Sequence, residues 1–277
     1  MSSQSQAFRT VYLDHSATTP VDPEVLSAML PYFSEKFGNA SSVHSYGRDA
    51  LAAVNTAREQ VSSLIGASSR EIVFTSGGTE ADNLAIMGAA RSMQKKGNHL
   101  ITSRVEHHAV LHTFEQLEKE GFKVTYVPCD KYGLIDPDDV KKAITPQTTL
   151  VSVIYGQNEV GTIEPISEIG KITREHKVLL HSDAVQSAGK IPINVNELGV
   201  DLLTISSHKI YGPKGIGALF VKRGTRLLPQ ALGGAHERGR RAGTENVPGI
   251  VGFGEACKLA QERLPQESER LSKLRDR

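Results

Sequence analysis

Only two cysteines occur in 277 residues, Cys129 and Cys257, and they form no C-x-x-C pair. A disulfide framework in a chain of this size needs more, so the sequence suits a reducing, cytoplasmic compartment. No run of 18 apolar residues exists, and the opening MSSQSQAFRT lacks the apolar core of a signal peptide, so neither a membrane span nor a secretory leader is expected. An excess of one charge is also missing. Lys plus Arg total 32 against 31 Asp plus Glu, which gives no global attraction to nucleic acid or to an anionic membrane. The expected partners are small molecules or proteins. There is no internal repeat, no low-complexity linker and no G-x-x-x-x-G-K-[ST] phosphate loop.

What is present is a chain with 39% apolar residues, enough for a sizeable core in one large α/β unit with an appendage. After a polar tail, residues 11–13 form a short β-type run that breaks into a polar turn. Pro23 opens a helix to residue 29, and residues 37–42 are loop by composition. From Arg48 the spacing of Leu51, Val54, Ala57, Val61 and Leu64 is helical and stops at Gly66. A rhythm follows: strands are expected at 71–75, 99–103, 123–127, 150–155, 178–182, 202–205 and 218–221. Helices separate the first five, at 80–93, around Val110, Phe114 and Leu117, at 137–144 and at 165–176.

This alternation predicts a seven-stranded, mainly parallel sheet with helices on both faces. The connection between the last two strands is too short for a helical crossover, so the seventh should run antiparallel to the sixth. Residues 1–20 are expected to be an N-terminal segment and 21–254 a large domain. Residues 255–277 read as a charged helical stretch, interrupted at Pro265, leading toward a further domain.

The chemically suggestive residues all follow strands. Ser76 to Thr79 follows the first strand, Glu106 and His107 the second, and Asn158 the fourth. Asp183 and Gln186 follow the fifth, and Ser206, His208 and Lys209 the sixth. In a parallel sheet these ends share one edge, where open α/β folds bind ligands. The turn through Gly77, Gly78 and Thr79 at a helix start offers free N–H groups, a hydroxyl and the positive end of a helix dipole, which suit a phosphate. On its own the glycine pair serves a turn equally well. Asp183 ends an apolar strand, where a carboxylate needs a cation or several donors. A structural hydrogen-bonded role beside His181 is the alternative for that residue taken alone. Together, a phosphate cradle, a sheltered carboxylate, a lysine and an imidazole match the requirements of pyridoxal 5'-phosphate.

At YLDHSATTPVDP, EIVFTSGGTEADNLAI, VEHHAV, NEVGTIEPI, HSDAVQSAGKIP, SSHKIYGPKGIGAL and GGAHERGRRAGTENV the chain resembles the cysteine desulfurases of the iron–sulfur cluster assembly type, class-V aminotransferase-like enzymes. These segments run from residue 12 to about 247. The resemblance implies the large domain of the aspartate-aminotransferase type of pyridoxal-phosphate enzyme, acting as a homodimer on L-cysteine and passing sulfur as persulfide to an acceptor or scaffold protein. It implies that Lys209 carries the cofactor as a Schiff base and moves protons, that His107 stacks on the ring and assists, and that Asp183 pairs with the pyridine nitrogen. Asn158 and Gln186 would bond the ring hydroxyl region, and Gly78, Thr79, Ser206 and His208 would hold the phosphate. Thr244 would reach the phosphate of the other subunit's cofactor.

The family's sulfur-accepting cysteine lies on a loop of a C-terminal small domain that these segments do not include. Neither Cys129 nor Cys257 matches that loop, and both are expected to be packed small residues. A second chain supplying that domain is therefore one expectation. A different pyridoxal-phosphate lyase or transaminase-like reaction and a non-catalytic binding subunit of the same fold are the competing ones. His108 and His112, spaced i, i+4 with Glu115 nearby, lack the H-E-x-x-H order, and no metal site is expected. The Arg238, Arg240 and Arg241 cluster suits a subunit-interface or anion contact better than nucleic acid.

Overall fold

The computed structural model describes residues 10–277. The elements in chain order are α1 (Pro23–Met29), α2 (Pro31–Ser34), α3 (Ser45–Leu64), β1 (Ile72–Thr75), α4 (Gly78–Met93), β2 (His99–Ser103), α5 (His108–Lys119), β3 (Lys123–Val127), α6 (Pro137–Ala143), β4 (Thr148–Ser152), α7 (Ile166–His176), β5 (Leu179–Asp183), α8 (Val195–Leu198), β6 (Leu202–Ser206), β7 (Gly217–Val221) and α9 (Val247–Arg275).

The seven strands form one sheet in the order β1-β7-β6-β5-β4-β2-β3. β7 runs antiparallel to both β1 and β6, and the remaining pairs are parallel, so a single strand is reversed as expected. Alternation along the strands divides the core between the two faces. On β6, Leu203 and Ile205 join Leu180 of β5 and Val151 of β4 under α1, α3, α6, α7 and α9. Leu202 points the other way, with Leu150 and Leu100, into the layer formed by α4 and α5. Phe114 of α5 is completely buried there, worth roughly 1.5–3 kcal/mol relative to an exposed side chain.

Local chemistry fixes several boundaries. Asp22 accepts the Glu24 N–H at 2.9 Å and caps α1, with Pro23 in its first turn. Asp136 caps α6 in the same way through Asp138. α3 and α9 cross closely because Gly254 presents no side chain, and a Cβ there would lie 2.6 Å from the Ala57 Cα.

Three expectations are corrected. Residues 11–13 form no strand, and Val11, Tyr12 and Leu13 stand 60, 48 and 88% exposed. A β-type run stays irregular unless a sheet edge takes its backbone groups, and here the Tyr12 hydroxyl instead closes the turn onto the carbonyls of Asp14 and Thr18. β4 stops at Ser152 rather than at residue 155. Past it the Val153 and Tyr155 N–H groups still bond the β5 carbonyls of His181 and Asp183, while the Ile154 N–H between them goes to the Glu106 carboxyl at 3.0 Å. Pro265 does not interrupt α9, which is one helix of 29 residues. The proline lies in an exposed stretch, where water takes the carbonyl that loses its partner.

Candidate active site

Parallel pairing of β4, β5 and β6 brings their C-terminal ends to one edge. The turn before α4 and the segment after β2 arrive beside them. A cavity of about 450 Å³ opens there, and Gly78, Thr79, His107, Asn158, Asp183, Gln186, Ser206, His208 and Lys209 all line it. Nine of the ten residues expected from the sequence thus share one space. The tenth, Thr244, expected at the other subunit's cofactor, lies in a second cavity with Thr75, Ser76, Arg241 and Asn246.

Lys209 follows β6 and reaches across the cavity to donate from Nζ to the Ser16 carbonyl and, at 2.9 Å, to that of Ala17. Burial depresses its pKa against the opposing pull of Asp183, Asp14 and Glu159. A lysine with a lowered pKa has more of the neutral amine that attacks a carbonyl. Asp183 is 4% exposed and accepts the Val185 N–H at 2.9 Å. Burial raises its pKa, while that N–H and the Lys209 charge favour the carboxylate.

His107 caps α5, its Nδ1 accepting the Ala109 N–H at 3.1 Å, which leaves Nε2 to carry the proton of the neutral ring. Burial first, then His108, Lys209 and His112, push its pKa down. His208 meets the Thr18 hydroxyl at 3.1 Å, and its pKa is lowered by burial and by Lys209 and Lys214. Gln186 donates to the Ser16 carbonyl at 2.8 Å, and its amide oxygen accepts Lys190 Nζ at 2.6 Å. Burial, with the Lys209 charge, depresses Lys190 to about 8. Asn158 donates to Glu159 at 2.6 Å on the exposed side.

Several residues at the site were not read from the sequence. The carbonyls of Ser16 and Ala17 carry no side-chain signal at all. Asp82 lines the cavity from the second turn of α4 and is 1% exposed. The signal was present, because Asp82 shares the helix face of the apolar Ala85, Ile86 and Ala89, where an acid is out of place. Glu106, which the sequence did place after the second strand, is buried, taking the Ser103 hydroxyl at 2.5 Å and the Ile154 N–H, and burial pushes it up to about 8.

The two cysteines stay outside the cavity. Cys257 is completely buried in the core, and burial raises its thiol pKa. Cys129 packs half-buried against the same core. His108 and His112 stack ring on ring at 5.1 Å on α5, at the spacing noted in the sequence.

Residues 11–274 match the family described as aminotransferase class V. Among curated proteins, a cysteine desulfurase IscS of Dictyoglomus turgidum is 55% identical over 268 residues, covering 97% of this chain and 68% of that protein. A cysteine desulfurase IscS of Methanosarcina thermophila is 52% identical, covering 97% of this chain and 67% of its own length. Among solved structures, a NifS-like protein superposes with a TM-score of 0.94 at 41% identity, covering 96% of this chain and 73% of that one. A protein described as SspA in complex with cysteine gives 0.88 at 44% identity, covering 90% and 72%.

Enzymes of this family depend on pyridoxal 5'-phosphate, and the residues present fit it. Gly77 leaves the first-turn N–H groups of α4 without a side-chain cap, free for an anion beside the Thr79 hydroxyl. The buried Ser206 hydroxyl has no partner and lines the same cavity. A Cβ at Gly78 would meet Val185 Cγ2 at 2.9 Å and fill the cradle. A lysine and a sheltered carboxylate face that cradle, as the cofactor's aldehyde and ring nitrogen require. Fold, cavity and likeness agree that the chain belongs to the class-V aminotransferases and, within them, to the cysteine desulfurases.

Proposed function

We propose that the cavity holds pyridoxal 5'-phosphate for removing sulfur from L-cysteine. Lys209 is its covalent anchor and Asp183 the partner of its ring nitrogen. Gly78, Thr79, Ser206 and His208 hold its phosphate, and Asn158 and Gln186 bond the ring oxygen. The observation that carries this reading is that Lys209, Asp183 and the first turn of α4, which has no side-chain cap, line one cavity.

When bound, the cofactor supplies an electron sink for bonds at the substrate's Cα. Lys209, its pKa lowered by burial, takes and returns a proton at that carbon. His107 has its Nδ1 fixed by the Ala109 N–H, so Nε2 is the atom through which it donates or accepts. Lys190 holds the Gln186 amide oxygen and so presents its NH₂ toward the Ser16 carbonyl and the cavity. In the net reaction the substrate C–S bond breaks, an acceptor thiolate gains the sulfur as a persulfide, and the substrate carbon skeleton leaves as alanine with a proton in place of sulfur.

Neither Cys129 nor Cys257 lines the cavity, so the acceptor thiol comes from polypeptide other than the described residues. The same observation favours, as a second reading, a pyridoxal-phosphate reaction that needs no thiol. Residues 21–254 make up the cofactor-binding unit, and residues 255–277 continue α9, packing on that unit through Ala256, Cys257 and Leu259 before becoming mostly exposed. A homodimer is the working form. The exposed Leu13, Phe33, Phe37 and Val43 support it, as does the position of Thr244 outside its own chain's cavity, where it can serve the partner's phosphate. Iron–sulfur cluster assembly in the cytoplasm is the proposed destination of the sulfur, in keeping with the family resemblance and with two unpaired cysteines.

The test is reduction of the cofactor-loaded protein with borohydride followed by peptide mapping. Attachment at Lys209, abolished in Lys209→Arg, is expected. Attachment elsewhere, or protein that takes up no cofactor, overturns the reading. A panel of amino acids scored by cofactor absorbance separates the two reactions, since a response to cysteine alone eliminates the second.

A further inference from the structure

Beneath α4 a stripe of polar side chains crosses the sheet where apolar ones are the rule. Ser152 of β4 is the register partner of His181 on β5, and Thr204 of β6, two residues on from His181's partner Leu202, shares their face, all three buried toward α4. His181 bonds the Ser152 hydroxyl through Nδ1 at 2.8 Å and the Thr204 hydroxyl through Nε2 at 3.1 Å. Burial pushes His181 down to about 3, so it is neutral and both hydroxyls satisfy it. Asp82 leans onto this stripe, with Oδ1 3.5 Å from His181 Nε2 and without a hydrogen-bond partner among the described residues. Carboxylate oxygens of Asp82 and Asp183 and a ring nitrogen of His107 lie within 4.8 Å of one another.

Two carboxyl groups this close and this buried do not both ionise freely. Their surroundings decide which one keeps the proton. Asp183 faces the Lys209 cation and accepts the Val185 N–H, and both favour its charge. Around Asp82 stand burial and the Asp183 charge, both favouring the neutral acid, against a single hydroxyl from Thr204, while Glu106, itself raised to about 8 by burial, adds little charge at neutral pH. The other titratable neighbours, His181 on β5 and His107 before α5, have lowered pKa values and bring no positive charge at neutral pH.

We propose that Asp82 is a positioning residue that remains a neutral carboxylic acid beside Asp183, so that a single negative charge, on Asp183, faces the ring nitrogen of the cofactor. This rests on the role given to Asp183 above. Asp82 fixes where the charge sits, and its own proton keeps the second carboxyl from competing for the ring nitrogen.

The first test uses the protein without cofactor. A buried acid that is neutral only when folded contributes stability below the ordinary carboxylate pKa and loses it as pH rises. Asp82→Asn, which cannot ionise, should unfold with the release of about one proton fewer than wild type between acidic and neutral pH. Equal proton release in the two proteins overturns the proposal. Should Asp82→Asn fail to fold, the infrared carbonyl stretch of ¹³C-aspartate-labelled wild type decides, because absence of a protonated aspartic acid near neutral pH overturns it equally.

The second test is cofactor affinity by absorbance titration. Asp82→Ala should weaken pyridoxal phosphate by about tenfold and Asp82→Asn should restore most of it, whereas Asp183→Asn should lose about 10- to 100-fold, as expected for a charge-assisted hydrogen bond. An Asp82→Asn variant as weak as Asp183→Asn shows that Asp82 is needed as an anion and refutes the proposal. Unchanged affinity in Asp183→Asn would refute the role of Asp183 instead, leaving the proton release to report on Asp82 alone.

Discussion

Removal of the Glu237 carboxylate should be among the most damaging single changes away from the cavity. Arg58 of α3 meets Glu237 in a two-pronged pair, with both nitrogen–oxygen distances 2.7 Å and side chains 11 and 4% exposed. Glu237 also accepts the Phe74 N–H of β1 at 3.1 Å, and the guanidinium lies 4.6 Å from the Phe74 ring centre while donating to the Ile72 carbonyl. Glu237→Ala therefore strands a buried guanidinium and an edge-strand N–H together, at a cost of about 3–5 kcal/mol. At about 2–4 °C per kcal/mol this lowers the melting temperature by roughly 6–20 °C.

Glu237→Gln keeps one acceptor and should fall between Ala and wild type. The residue also sits at φ 46°, so Glu237→Gly relaxes the backbone while losing the pair. Differential scanning calorimetry with a urea series reads all three variants. A loss below about 1 kcal/mol for Glu237→Ala, the range of an exposed pair, would refute the assignment. A Gly variant more stable than wild type would show that strain outweighs the ion pair.

Gly78→Ala should fold with only a modest loss, about 1–3 kcal/mol, because Val185 yields to the new methyl, yet lose most of its affinity for pyridoxal phosphate in an absorbance titration. Glu106 is raised to about 8 by burial, so the folded chain holds a proton that the unfolded chain releases near 4.3, and stability falls as pH climbs between those values, by up to about 5 kcal/mol. Glu106→Gln should remove the part of this decline that extends toward pH 8, as read by urea unfolding at several pH values. Lys190→Met should free the Gln186 amide and shift the cofactor absorbance maximum without displacing borohydride attachment from Lys209, and an unaltered spectrum would contradict the orienting role.

Much of the site was legible in the residues because a parallel sheet aligns the ends of its strands. Once Asp183 and Lys209 were placed at strand ends, their common edge followed from topology alone. The helices were legible for a similar reason, since apolar spacing and caps such as Asp22 and Asp136 act within a few residues. Segments whose partners are far away were not. Residues 11–13 carry β-type side chains, but no strand edge receives them. Past the end of β4 only the bonds to β5 continue, because Glu106, 48 positions away, takes the Ile154 N–H.

The sequence by itself determined the alternating strands and helices, the single reversed strand and nine residues of the cavity. Only the tertiary structure decided that Asp82 lies against Asp183 and that Glu237 clasps Arg58 from 179 positions away. The physical reason is range. Periodicity, capping and turn chemistry are local and leave marks in neighbouring residues, whereas the burial that sets a carboxyl's charge depends on which distant elements pack over it.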